Sequence, residues 1–373
     1  MNKTIIKVIS IIMVLSLAML TFAACGDKEN YTKVDGGVES TTETTTETPK
    51  ATNVNPFTGA ADLSESAIGA RPVAVMVENH PDARPQWGMS TPDVIIEGVV
   101  EGGITRMMWL YADVSKMPKV GPTRSARHDF VEIAAGMNAI YAHWGGSGQA
   151  NGLYAYGALN KYDVDNIDGL TYAGKYFKRD TSRTGGSANE HTGYTSGELL
   201  TKAIKDLKIE TKAKNDNWTM FKVVEEGVRL PFGGASGSAN EVNVTFSSGY
   251  KYSFKYLMDK NEYSSYLNGK KVVDGTNSKA VTYSNLIIMF TKVEGVQTTN
   301  ANDKKLREWD LTSGEALWIS NGSGEKITWK KDGATSPLKF YGTDGKELVV
   351  NKGKTWIGVV PTDQRSNFNI KES

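Results

Sequence analysis

The densest polar run in the chain is Gly121-Pro122-Thr123-Arg124-Ser125-Ala126-Arg127-His128. An arginine presents a planar fork that grips a carboxylate or phosphate through two parallel hydrogen bonds. Pro122 ends any preceding element, Thr123 or Ser125 can cap a helix, and Phe130, Val131, Ile133, Ala134 and Met137 recur at helical spacing. Arg124, Arg127 and His128 are thus expected on a first helical turn, where free N–H groups and the helix dipole favour an anion. The competing account is an internal ion-pair network, with Glu97 and Glu101 as the nearest candidate partners.

All four histidines, His80, His128, His143 and His191, fall before residue 200. Any proton chemistry near neutrality is expected there. His143 closes the apolar run 138–143 and is followed by Trp144-Gly145-Gly146-Ser147-Gly148. A strand, a glycine-rich turn containing Ser147 and a following helix can cradle an anion, although the Gly-Lys-Ser/Thr ending of a nucleotide loop is missing. Glu190-His191 precedes a second helical stretch.

Metal and nucleophile patterns are incomplete. There is no His-Glu-x-x-His; His128 and Glu132 stand at i, i+4, and His143 or Glu190-His191 would have to be brought in by the fold. Asp163, Asp165 and Asp168 resemble a calcium loop without its closing Glu. A Gly-x-Ser-x-Gly elbow is absent, and Cys25 is the single cysteine. No metal and no cofactor is expected.

These residues need positioning elements. Residues 72–78 read as a buried strand, and 94–101 with 104–111 as a hairpin about Gly102-Gly103. If Glu101 stands opposite Ile104, Glu97, Glu101 and Arg106 share one face. Residues 195–207 read as a helix whose Leu199, Leu200, Ile204 and Leu207 form a core stripe. Beyond 235, short β-like runs at 241–246, 250–258, 262–267, 285–290, 316–320, 325–330 and 355–360 are separated by Asn-Gly and Asp-Gly turns. Trp318, Trp329, Tyr341 and Trp356 could form a sugar-stacking platform, but strand aromatics are more often core.

The expected class is mixed α/β: an N-terminal domain (56–235) of layered β sheets with helices covering one side, and a largely antiparallel β domain (236–373). Residues 1–24 read as a lipoprotein signal. Lys3 and Lys7 precede an apolar stretch too short to be a confident span, and Ala23-Ala24-Cys25 offers a cleavage site and a thiol for lipid attachment. Residues 25–55, acidic and Thr-rich, read as a disordered tether. The full chain carries 43 Lys and Arg against 42 Asp and Glu; without Lys3 and Lys7 the count is 41 against 42, a balance that argues against a nucleic-acid surface.

Taken in order, Glu101-Gly102-Gly103-Ile104-Thr105-Arg106, Gly121-Pro122-Thr123-Arg124-Ser125-Ala126-Arg127, Tyr141-Ala142-His143-Trp144-Gly145-Gly146-Ser147, Glu190-His191, Ile327-Thr328-Trp329 and Gly353-Lys354-Thr355-Trp356-Ile357 resemble the YerB-like family of bacterial lipoproteins. The resemblance implies a two-domain envelope lipoprotein and fixes no activity. One reading is then a protein on the extracytoplasmic face of the membrane, anchored through Cys25. It would bind an anionic wall polymer, peptidoglycan or envelope protein through Arg106, Arg124 and Arg127 with the Gly145–Gly148 turn. The other is a wall hydrolase or transferase with Glu97 or Glu101 as acid/base and His128, His143 or His191 carrying protons.

Overall fold

The computed structural model describes residues 52–148, 154–183, 189–215, 217–231, 239–298 and 304–372. The expected signal, the lipid-anchor Cys25 and nearly all of the tether lie outside them. Residues 50–373 form one compact unit.

Its frame is a ten-stranded sheet. In chain order its strands are β1 (Val73–Glu78), β2 (Val94–Val99), β3 (Thr105–Tyr111), β4 (Ile140–His143) and β5 (Asn166–Asp168) from the first half. The second half supplies β11 (Asn285–Thr291), β12 (Ser313–Ser320), β13 (Ser323–Lys330), β14 (Lys339–Tyr341) and β15 (Thr355–Pro361). The spatial order is β14-β13-β12-β11-β15-β2-β3-β1-β4-β5. The late strand β15 therefore lies in the middle, parallel to both β11 and β2. A second sheet, β6 (Glu241–Ser247), β7 (Tyr250–Leu257), β8 (Glu262–Leu267), β9 (Lys270–Lys271), β10 (Thr282–Tyr283) and β16 (Asn369–Lys371), stacks on one face. Among the described residues three α-helices, α1 (His128–Gly136), α2 (Ala155–Lys161) and α3 (Gly197–Asp206), complete the mixed α/β class expected from the sequence.

The long central strands are buried on both faces, so they read as continuous apolar runs. In β1, Ala74 and Met76 join a core with Phe130, Val131 and Ile133 of α1 and Leu159 of α2. Val73, Val75 and Val77 join the opposite core with Leu200 and Ala203 of α3 and the inner face of the second sheet. Two helices thus cover one face while the third shares the other. Trp318, Trp329 and Trp356 are buried in these cores, so the sugar-stacking alternative falls away. Among the described residues no helix is long and apolar enough to cross a membrane.

The hairpin register differs from the expected one by a residue. Val99 pairs with Thr105, and Val100 N–H donates to the Ile104 carbonyl, so Glu101 leaves the ladder and joins Gly102 and Gly103 in the turn. Both glycines have φ near +70°, which glycine adopts without steric cost. The turn frees the Glu101 carboxylate to meet Arg127. A one-residue shift exchanges faces, and Glu97 and Arg106 consequently lie on opposite sides of the sheet.

Candidate functional site

Strands β1, β4 and β5 run parallel, so Glu78, His143 and Asp168 end them at one edge. In α/β sheets the crevice beyond the carboxyl ends is where ligands bind. The polar run 121–126 is threaded through this edge. Glu78 N–H donates to the Pro122 carbonyl and Arg124 N–H to that of Met76 on one side, while Trp144 N–H and Ala126 N–H bind the carbonyls of Arg124 and Gly145 on the other. The expected helix begins after this segment, at His128, with Arg127 at its N-cap. Arg124 accordingly sits on an extended segment and not on a first helical turn.

Glu78 is the centre of the cluster. It is 1% exposed, and its two oxygens meet Arg124 Nε at 3.0 Å and His191 Nδ1 at 2.9 Å. Glu190, on the rim, accepts from Arg124 Nη1 at 3.1 Å and stands 3.7 Å from His191 Nε2. The positive charge of Arg124 holds Glu190 below the usual carboxylate range against some burial, with His191 and His80 assisting.

A cavity of about 320 Å³ opens beside this cluster, lined by Thr123, Arg124, Ser125, Trp144, Gly145, Gly146, Tyr156, Leu170, Arg179 and Glu190. Arg179 comes from a two-residue ribbon, Lys178–Arg179 against Gly193–Tyr194, and lies over the Trp144 ring at 4.4 Å. The Thr123 hydroxyl is buried without a hydrogen-bond partner. Two larger hollows, of about 420 and 450 Å³, touch none of the histidines.

Other candidates are placed apart. Arg127 forks onto Glu101 at 2.6 and 2.8 Å, and also donates to the Ser125 and Ala126 carbonyls. Burial acts to raise Glu101, but Arg127, helped by Arg106, outweighs it and leaves the carboxyl lowered. Arg106 is buried and donates to the Ser125 carbonyl at 3.0 Å. Burial lowers it, with Arg127 adding to the effect and Glu101 opposing. These two arginines hold the frame, as the internal-network account expects, whereas Arg124 reaches the cavity.

Glu97 faces the second sheet, where Asn79 and Thr105 donate to one oxygen and Trp356 Nε1 to the other. It is fully buried, and burial raises it above its ordinary value. The proposed acid thus lies on the far face from the cavity. His128 is buried next to Asp129, which raises it despite burial, and lines no part of the cavity. His143 is a clasp: its Nδ1 is 2.7 Å from the Gly145 carbonyl and its Nε2 3.2 Å from Asn166 Oδ1. Asp168 completes the clasp by accepting from Gly145 N–H, Leu170 N–H and the Tyr156 hydroxyl. Ser147 is buried, with its N–H on the Ala126 carbonyl.

Sequence reasoning passed over Glu78 and Arg179, and weighed Asp168 only as part of an incomplete calcium loop. Glu78 carried a readable signal, since it is the one charge in Val-Ala-Val-Met-Val-Glu. A buried charge needs a partner, and two were supplied.

Residues 57–210 match the family described as protein of unknown function (DUF3048), N-terminal domain, and 242–357 its C-terminal domain. Over 316 residues, 82% of this chain and 86% of the relative, the sequence is 34% identical to YerB of Bacillus subtilis (strain 168), which bears the name of a lipoprotein. The chain belongs to the YerB family. A crystal structure of the YerB protein from Bacillus subtilis superposes with a TM-score of 0.68 at 28% identity, over 85% of this chain and 99% of that one. The motif resemblance is thus upheld.

Proposed function

We propose that this protein is a lipoprotein, anchored through Cys25 on the extracytoplasmic face of the membrane, that binds an anionic group of an envelope polymer in the cavity of Arg124 and Arg179. The observation that carries the reading is the cavity wall itself. Two guanidiniums border it, and the partnerless Thr123 hydroxyl lies there. Arg124 is held at its rim by Glu190, whose side chain is 52% exposed, so an incoming phosphate or carboxylate can take that carboxylate's place. Binding is favoured over acid/base chemistry because Glu97 is on the opposite face and Glu101 is occupied by Arg127.

The test is titration of the full chain in detergent with a poly(glycerol phosphate) oligomer, at two salt concentrations. Arg124→Ala and Arg179→Ala are each expected to weaken binding at least about tenfold, as loss of a charge-assisted contact does, and to flatten the salt dependence. Unchanged affinity in folded Arg124→Ala would reject the reading.

A further inference from the structure

Beside the anion cavity, a second group of side chains has a different chemistry. We propose that His80, Asp82 and His191 bind one divalent transition-metal ion of the zinc class, with Glu78 orienting His191 from behind. One ring nitrogen of each histidine and a carboxylate oxygen of Asp82 all lie within 4.8 Å of one another. In a tetrahedral zinc site with bonds of about 2.0–2.2 Å such ligand atoms lie about 3.4 Å apart, so the group must close by up to about 1.4 Å on binding. The two imidazoles are stacked, with centroids 4.9 Å apart and planes within 13°, so the exposed His80 ring must turn to bring its in-plane lone pair onto an ion held by His191. His80 and Asp82 are 37% and 57% exposed at and within the single turn Pro81–Ala83, so they have room to close, while His191 is fixed.

The second observation concerns what lies behind His191. Its Nδ1 is 2.9 Å from Glu78 Oε2, in a pocket where Glu78 is 1% exposed. A buried carboxylate accepting from Nδ1–H sets the tautomer and leaves the Nε2 lone pair for a metal, the arrangement that supports metal-bound imidazole elsewhere. Glu190 Oε1, 3.7 Å from Nε2, is available as a further oxygen ligand. Two imidazoles with carboxylates suit zinc, cobalt, nickel or iron better than magnesium or calcium, which take oxygen shells. The site meets the anion cavity at the Glu190–His191 turn and through the Arg124–Glu78 ion pair.

The experiment uses the full chain in detergent, stripped with a chelator and titrated with zinc chloride by calorimetry. One ion per chain is expected. His80→Ala and His191→Ala should each weaken binding at least about tenfold, and Glu78→Gln by about 10–100-fold through the lost orientation. His80→Ala, which lines no part of the anion cavity, should bind the poly(glycerol phosphate) oligomer as the parent does, so the two readings fail separately. Because His191 is buried and its loss could unfold the protein, exposed His80 decides. Zinc bound by folded His80→Ala as tightly as by the parent, or no stoichiometric binding by the parent, overturns the proposal.

Discussion

Single carboxylates in this protein are sorted by where the chain leaves them. Glu78 and Glu97 are both nearly sealed from water, yet Glu78 faces a guanidinium and an imidazole while Glu97 faces neutral donors. Their residue type was plain in the sequence, but the face each occupies depends on a one-residue register that composition does not encode. Asp93 gives the clearest pH consequence. Burial raises it from 3.8 to about 6, against the opposing Ala112 N–H and Asn55 amide, with Asp62 and Asp113 adding to the rise. The folded state therefore holds this proton after the unfolded chain has released it, and the group's contribution to stability is lost as pH rises from 3.8 to about 6. Relative to Asp93→Asn, the parent is expected to gain about 2 kcal/mol between pH 7 and pH 4. Urea unfolding of both at the two pH values measures this; a pH-independent difference would refute it.

Elements were legible where their period was clear. The runs at 262–267 and 285–290 appear as β8 and β11, and the 195–207 stripe as α3, whose Ser196 caps Leu199 N–H. The short ribbon carrying Arg179 has no such pattern, because two residues cannot show a period, and it exists only through contact with its neighbours. The Trp144 indole shows how tight those contacts are. A Cβ on Gly169 would stand 2.6 Å from its ring and one on Gly193 2.8 Å, so these glycines are required for packing and not for turning the chain. Gly169→Ala is expected to cost about 1–3 kcal/mol by overpacking and to displace the indole that floors the cavity. Thermal unfolding with tryptophan emission checks both; a variant with the parent's melting temperature and spectrum would contradict this packing account.

At the scale of the whole molecule, the strand content of each half could be read in advance, but not that both halves feed one sheet. Strand β15 looks like any late strand in the sequence; parallel pairing to β2, more than 250 residues earlier, leaves no local mark. Removing residues 355–373 should therefore abolish cooperative unfolding of everything before it, because β2 and β11 would face each other across a missing strand. A truncated chain that still melts in one sharp transition would show that the halves are self-sufficient. The same strand has a bearing on time. A chain made from its N-terminus first cannot join its two halves until the insertion of β15, so everything up to Pro361 must be delivered before the sheet closes. Partnerships so distant in sequence are slow to form, and until then β2 and β11 each present an open edge of the kind that recruits foreign strands. The interval between delivery and closure, more than any weakness of the finished fold, is when this protein is most exposed to proteases and to aggregation.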